Sequence, residues 1–578
     1  MIKMMGFSFD SMHLCLAVLG TLMFIMSAIV SPEYFKGQKH NFRYYAFNIA
    51  TYFALMGVFL AADFFTAFCF FEIMSFTSYV WVVHTETEDA IRASQTYLYV
   101  AVIGGLTMLM GLFLLFNCTG TLKFEDLKTM SAGIPWGVKL AAGICITLGF
   151  GAKAGMFPLH IWMPTSYPAA PAPATALLSS MLSKSGVFGI IAVSMNLFAD
   201  SGAAWGSILL VAAVITMLLG AVLALFSTDL KKTLACSSMS QIGFILVGVA
   251  IASVLGEEGS LGASGTTLHI LNHSLIKQTL FVASGVLFLN LGSHKFEDVR
   301  GFGRGKPAFM IAFIAGACTV AGIPGLSGYI SKTLLHEAIV EAGPAYKWAE
   351  WLFLTAGGFT FAYMARLVYV LLIAKPSEKV AACKKEKYCG WPTKAVVLAG
   401  SAAMLVFGLF PHATMDKIAA FCNPFYNLEP MEKVNYFSLE NLKGSAISIG
   451  IGILLFTLVG MIALTRGRNQ DQKYLDVWPK WLNMENYLYR PLLKLLSLVG
   501  ATFARAVEQL SALLVLGPIN LVFLKAPEKW TAPEEENFGT YRNMKKSGIV
   551  QQLFDSDLMF AAAGIMAFLI VALIMISK

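Results

Sequence analysis

Apolar runs long enough to cross a bilayer recur along almost the whole of this chain, and that recurrence leaves few folds open. They fall near residues 11 to 31, 44 to 62, 63 to 83, 97 to 117, 137 to 157, 174 to 198, 204 to 226, 232 to 255 and 265 to 292. Five more lie near 307 to 338, 349 to 374, 394 to 412, 441 to 465 and 556 to 577. In hydrocarbon every backbone N–H and C=O must find its partner within the protein, so runs of this length are expected as helices. The expectation is an all-α polytopic membrane protein with about fourteen transmembrane helices. Composition agrees: 57% of the 578 residues are hydrophobic, 13% are charged and mean hydropathy is +0.68. A large soluble catalytic domain is excluded. The first run lacks a small-residue cleavage site and its approach is barely charged, so it reads as a retained helix.

Lys and Arg in alternate loops test the span assignment, because a missed helix would scramble their pattern. One side collects Lys36, Lys39, Arg43, Arg92, Lys231, Lys232, Lys295, Arg300, Arg304 and Lys306, then the cluster from Lys375 to Lys394 and Arg466, Arg468, Lys473 and Lys480. The other collects Lys123, Lys128, Lys347, Lys417 and Lys433. About twenty against five puts the rich side in the cytoplasm and the amino terminus outside, as expected for a prokaryotic-type inner membrane. The net charge of +8 reflects those loops and implies no nucleic-acid partner.

The stretch from Met484 to Leu524 departs from the pattern, mixing apolar residues with Tyr487, Tyr489, Arg490, Lys494, Arg505 and Glu508. Roughly forty helical residues span about 60 Å, too long for one crossing. Two readings fit, a pair of short spans or an amphipathic helix along the cytoplasmic face, and the charges favour the surface helix.

Ionisable groups at mid-membrane depth are costly and persist where they face a wet interior or one another. The chain carries Glu72 in FFEIMSFTSY, Lys153 in GFGAKAGMFPLHIW, Lys184 in MLSKSGVFG, His269, His273 and Lys277 in HILNHSLIKQTLF, and Lys332 in GLSGYISKTLL. Together they form a candidate proton pathway. The helices of Lys153 and Lys332 are interrupted, by Pro158 and Pro164 and by Pro324 with Gly322, Gly325 and Gly328. Two broken spans in corresponding halves are the signature of inverted repeats around an ion path. Moving Glu72 toward or away from Lys153 would load or release a proton there. His269, His273 and Lys277, four residues apart, share a helical face on which imidazoles relay protons.

Each residue has a structural alternative. Glu72 fits a hydrogen bond to Ser75, the lysines fit snorkelling near helix ends, and the histidine pair fits simple packing or a metal face without further ligands. Asp229 and Arg366 read as interfacial or paired, and Lys231 reads equally as a cytoplasmic anchor or a channel group. Nine cysteines without CxxC or CxxCH give no sign of an iron–sulfur cluster or attached haem.

At these residues the sequence resembles the antiporter-like proton-translocating subunits shared by respiratory complex I, membrane-bound group 4 hydrogenases including formate hydrogenlyase, and Mrp-type sodium/proton antiporters. The carrying motifs are DFFTAFCFFEIMSFTSY, GAKAGMFPLHIWMPTSYPAAPAPATALLSSMLSKSG, STDLKKTLACSSMSQIGF, HILNHSLIKQTLF and GIPGLSGYISK, in the family's order over residues 45 to 412. The resemblance implies that Glu72 is the carboxylate partner of the broken-helix Lys153 and Lys184 a bridging lysine. It also implies that His269, His273 and Lys277 form the central relay and Lys332 the exit group. It implies no cofactor in this chain, with redox chemistry left to partner subunits. A surface helix followed by one last span resembles the lateral helix of the most distal complex I pump subunit and its hydrogenase counterparts, which runs along neighbouring membrane subunits.

Departures are present as well. The chain starts one or two spans later than full-length members, Thr333 stands where some carry an acid, and Gly104 with Gly105 occupy a region that is polar in the complex I version. These favour a hydrogenase-like or Mrp-like relative. The expected organisation is an N-terminal span and loop (1–43), two antiporter-like halves (44–226 and 227–412), an additional span (413–465), the lateral helix and loop (466–554) and a C-terminal span (555–578). The expected function is proton translocation within a redox-driven membrane complex. Its alternatives are a sodium/proton antiporter subunit and a non-pumping scaffold for a soluble partner, although a scaffold gains nothing from buried charge.

Overall fold

The computed structural model describes residues 6–383, 388–426, 428, 431, 433–466, 473–478, 487, 489–491, 495, 498 and 502. Two compact units divide the chain, Met1–Val477 and Trp478–Lys578, and all the candidate site residues lie in the first. The expected lateral helix and last span lie outside the described residues, apart from the few positions just given.

The first unit is helical almost throughout. Its helices are α1 Ser11–Tyr34, α2 Asn41–Phe59, α3 Phe64–Val83, α4 Glu88–Thr119, α5 Phe124–Met130, α6 Trp136–Ala154, α7 Met163–Ala169, α8 Ala172–Leu177, α9 Ser183–Ala192 and α10 Gly202–Phe226. They continue as α11 Leu230–Leu255, α12 Ser260–Leu291, α13 Phe296–Val299, α14 Pro307–Ala321, α15 Ser327–Glu341, α16 Lys347–Val368, α17 Glu378–Ala382, α18 Trp391–Leu409, α19 Met415–Tyr426 and α20 Leu439–Leu455. A π turn at Leu178–Leu182 joins α8 to α9 as one rod. A two-residue hairpin, Thr465–Arg466 with Lys473–Tyr474, is the one sheet among the described residues.

Among the described residues eleven helical segments are long and apolar enough to cross a membrane. Two further expected spans take other forms. Asn41–Phe59 is a full helix whose opening residues, NFRYYAFN, are too polar for the same standard. The run from 307 to 338 is two helices of 15 residues each, neither able to cross alone.

Both interruptions have a local cause. After Ala154 the chain turns through Gly155 at φ +80°, with the amides of Gly155 and Met156 both returning to the carbonyl of Gly151. After Ala321 it turns through Gly322 at φ +79°, whose amide bonds Thr319 while that of Ile323 bonds Cys318. A left-handed residue ends a helix cheaply only as glycine, and the prolines beyond prevent the helix from resuming directly.

An internal repeat is visible at hydrogen-bond level. Asp63 caps α3 by accepting from the amide of Thr66, and Asp229 caps α11 by accepting from that of Lys232. Each pairs through its backbone with a lysine, Asp63 with Lys123 and Asp229 with Lys295, and those lysines open the matching segments KFEDL and KFEDV. In each copy a hydroxyl holds the aspartate of that segment: Thr121 to Asp126 at 2.8 Å, Ser293 to Asp298 at 2.6 Å. Five crossings separate the two caps (α3, α4, α6–α7, α8–α9, α10), so the copies face opposite sides, as an inverted repeat requires. The rod of α8 and α9 is wholly buried and α11 and α12 nearly so, whereas α20 lies almost entirely at the surface.

Candidate functional site

The buried charges gather into three groups along the interior. In the first, the last turn of α6 carries Lys153, whose Nζ donates to Tyr97 OH at 2.6 Å and to Ser75 Oγ at 3.0 Å. Ser78 Oγ lies 2.5 Å from the same phenol oxygen. Beside Lys153 is a space of about 10 Å³, enough for one water. Glu72 is buried on α3, yet neither carboxylate oxygen has a hydrogen-bond partner among the described residues, and no ion pair within 4 Å joins it to Lys153. It lies instead against Gly105 of α4, where a Cβ would sit 2.4 Å from Oε1. The adjacent Gly104 faces α6, where a Cβ would sit 2.7 Å from that of Ala152. The bare backbone of α4 at Gly104 and Gly105 thus packs against Ala152 of α6 and Glu72 of α3, while the Lys153 ammonium itself reaches α3 at Ser75.

In the second group α9 meets α12. Lys184, fully buried, reaches His273 Nδ1 at 2.6 Å and donates to the Ser179 carbonyl at 2.6 Å, an acceptor within the π turn. His273 Nε2 has no partner among the described residues. One turn on, Lys277 donates to Ser237 Oγ at 2.8 Å and the Leu234 carbonyl at 2.9 Å, and Ser237 continues to Tyr363 OH at 2.9 Å.

The third group lies at the second broken helix. His269 contacts Gln241 Oε1 at 3.1 Å and Ser331 Oγ at 2.9 Å, and Asn272 donates to that same hydroxyl at 2.9 Å. Next to Ser331, Lys332 donates to the Val320 carbonyl at 2.8 Å, an acceptor freed by the end of α14. It also stands 4.5 Å above the ring of Phe244 and borders a cavity of about 40 Å³. All seven expected site residues are therefore buried. Within hydrogen-bond distance the structure joins Lys184 to His273, whereas Lys153, Lys277, His269 and Lys332 bond to Ser, Tyr, Gln and backbone groups and Glu72 to none of the described residues.

Those connecting residues were not among the expected site residues, although the repeat carries a signal for them. Counting from the capping aspartates sets Ser75 opposite Gln241, and counting back from Gly120 and Gly292 sets Tyr97 opposite His269 and Gly105 opposite Lys277. Where the second half carries a lysine, the first leaves room for Glu72. Three weaker candidates have structural positions. Lys231 donates to carbonyls at the end of α7, Ala170 and, at 3.4 Å, Pro168. Arg366 closes the end of α10 on the carbonyls of Leu225 and Ser227 at 2.6 and 3.0 Å, and Asp229 is the cap of α11. Among the described residues no three His, Cys, Asp or Glu side chains cluster as a metal site would require.

A multi-pass bundle with two broken helices and buried ammonium and imidazole groups defines a class of polytopic membrane protein. Within it, this chain belongs to the NADH:quinone oxidoreductase/Mrp antiporter transmembrane family, which matches residues 61–360. It is 32% identical over 343 residues to Hydrogenase-4 component B of Escherichia coli, covering 57% of this chain and 50% of that protein. It is 28% identical over 323 residues to a Na(+)/H(+) antiporter subunit of Alkalihalophilus pseudofirmus, covering 54% of this chain and 64% of that one. The match thus spans half of the first relative and under two thirds of the second. A chain in the structure of the Mrp complex from a Dietzia species shares the fold, with a TM-score of 0.66 at 21% identity over 78% of this chain and 87% of that one.

Proposed function

We propose that this chain is a proton-translocating subunit of a membrane-bound redox-driven complex, hydrogenase-like or NADH-quinone oxidoreductase-like. Its pathway runs through Glu72, Lys153, Lys184, His273, Lys277, His269 and Lys332. The observation that carries this reading is the Lys184–His273 contact, which links the group at the first broken helix's neighbour α9 to the relay on α12. The pathway joins an antiporter-like half over 44–226 to a second over 227–412. A sodium/proton antiporter subunit is the second reading, supported by the likeness to the Alkalihalophilus antiporter protein. Ammonium and imidazole groups exchange protons readily, whereas sodium, a hard cation, calls for a cage of oxygen ligands. Purified complex in sealed vesicles separates the two: the first reading expects a pH-dye response independent of sodium, the second one that requires it.

In this reading the chain sits in an inner membrane with its amino terminus outside. Its partners are other integral membrane subunits, reached through the segment from Met484 to Leu524 on the cytoplasmic face, and soluble redox subunits indirectly. The uneven distribution of Lys and Arg supports that orientation. Cysteines placed at Lys494 and Arg505 should label from the cytoplasmic side alone and crosslink to neighbouring subunits. Labelling from opposite sides would make the segment two spans.

A further inference from the structure

The cavity beside Lys332 does not stop there. Its wall continues along α15 to His336, one helical turn beyond Lys332 on the same face, and to Asn441 of α20. At about 40 Å³ it has room for about two or three waters. His336 Nε2 lies 3.4 Å from Glu350 Oε1 of α16, a charge contact longer than a formed hydrogen bond. Its side chain is 17% exposed and that of Glu350 27%, so exposure rises from Lys332 through His336 to Glu350. On the far wall, Asn441, Ser445 and Ser448 form a polar strip on an apolar helix that is otherwise largely exposed. Ser445 donates to the Gly322 carbonyl at 3.0 Å, tying α20 to the break itself. Gly444 leaves room for the imidazole, since a Cβ there would lie 3.2 Å from His336 Cε1.

We propose that His336 is a relay residue carrying protons between Lys332 and Glu350, through an outlet walled by α20, a helix beyond the family-matched segment. This rests on the proton-translocation reading. A proton leaves Lys332 Nζ for a cavity water, that water protonates His336, and His336 hands a proton to the Glu350 carboxylate. Each step breaks one N–H or O–H bond and forms another, without electron transfer. Glu337, held by Asn441 at 2.6 Å, adds a second carboxylate at the outer end.

The test is proton movement by the whole complex in vesicles, read with a pH dye, for wild type, Lys332→Ala, His336→Ala and Glu350→Gln. Loss of one proton-relay group should slow His336→Ala by about tenfold or more. Imidazole added on the outlet side should restore its flux by entering the space vacated, a rescue that a merely structural histidine would not give. Glu350→Gln, at the surface, serves if His336→Ala fails to assemble, and should also slow the flux. Wild-type rates in Glu350→Gln and, where it assembles, His336→Ala, with Lys332→Ala inactive, would overturn this outlet and leave the pathway standing. A wild-type complex that moves no protons would sink the pathway and the outlet with it.

Discussion

Lys184 and His273 meet in the fully buried middle of the bundle, Nζ to Nδ1 at 2.6 Å, one from α9 and the other from α12. An ammonium that touches an imidazole nitrogen can be the donor while that nitrogen is the acceptor, so the pair is itself a proton-transfer step. Replacing Lys184 with Ala or His273 with Gln should cut translocation by about tenfold or more while the complex still assembles. Assembly is read by gel filtration of the detergent-solubilised complex, and translocation by dye quenching in vesicles. Unchanged quenching in both variants would make the contact structural.

The glycine pair of α4 gives a paired prediction. At Gly105 the neighbour is the carboxylate end of Glu72, which can swing away, so Gly105→Ala should displace Glu72 and impair translocation with little loss of stability. It should therefore resemble Glu72→Gln, which keeps the shape and removes the charge. At Gly104 the neighbours are Ala152 and the Gly149 backbone, which cannot swing away. Gly104→Ala should accordingly cost about 1–3 kcal/mol through overpacking. Thermal unfolding in detergent checks the contrast, and equal stability losses in the two variants would contradict it.

Asp200, in the turn before α10, and Lys139, in the first turn of α6, predict an acid-dependent stability. Partial burial alone would raise the Asp200 carboxyl, but the Lys139 ammonium, 2.7 and 2.8 Å from its two oxygens, holds it below the ordinary carboxylate range. A depressed group contributes stability that is present above its unfolded value, about 3.9 for Asp, and lost as pH falls through the folded one. Asp200→Asn should therefore be less stable than wild type at neutral pH, by about 1 kcal/mol, since solvent reaches the carboxylate and screens the pair. That is less than the ~3–5 of a fully buried pair, because the carboxylate is partly exposed. The difference should shrink on acidification below about pH 4. Melting curves across pH 3 to 7 would show this, and a difference that stayed constant would exclude the ion pair as its source.

How much of this was legible in the sequence depends on the physical signal each feature leaves. Apolar length marks a helix strongly, so the helices of the first unit fall on the expected runs, and lysines in apolar surroundings stood out by their cost. The two breaks were legible, from Pro158 and Pro164 in one and from Pro324 with Gly322, Gly325 and Gly328 in the other, because glycine and proline act locally; that the first turns at Gly155 was not. Tyr97, Ser75, Ser237 and Gln241 were not, because hydroxyls and amides are common in buried helices and acquire a role only when tertiary packing sets them against a lysine. The surroundings of Glu72 and Lys153 show the same limit: one sequence carries both groups, but that Lys153 meets Ser75 and Tyr97, and that Glu72 rests on Gly105, is a property of packing.

The central claim is that the buried cations carry protons. Its most direct test is the assembled complex in sealed vesicles, driven by its own electron donor and followed with a pH dye, for Lys153→Ala and Lys277→Ala. Both lysines bond only to hydroxyls and backbone carbonyls near the broken or relay helices, so neither replacement should prevent assembly. The account predicts loss of proton movement in both variants with the complex intact. Full proton pumping in both would contradict it.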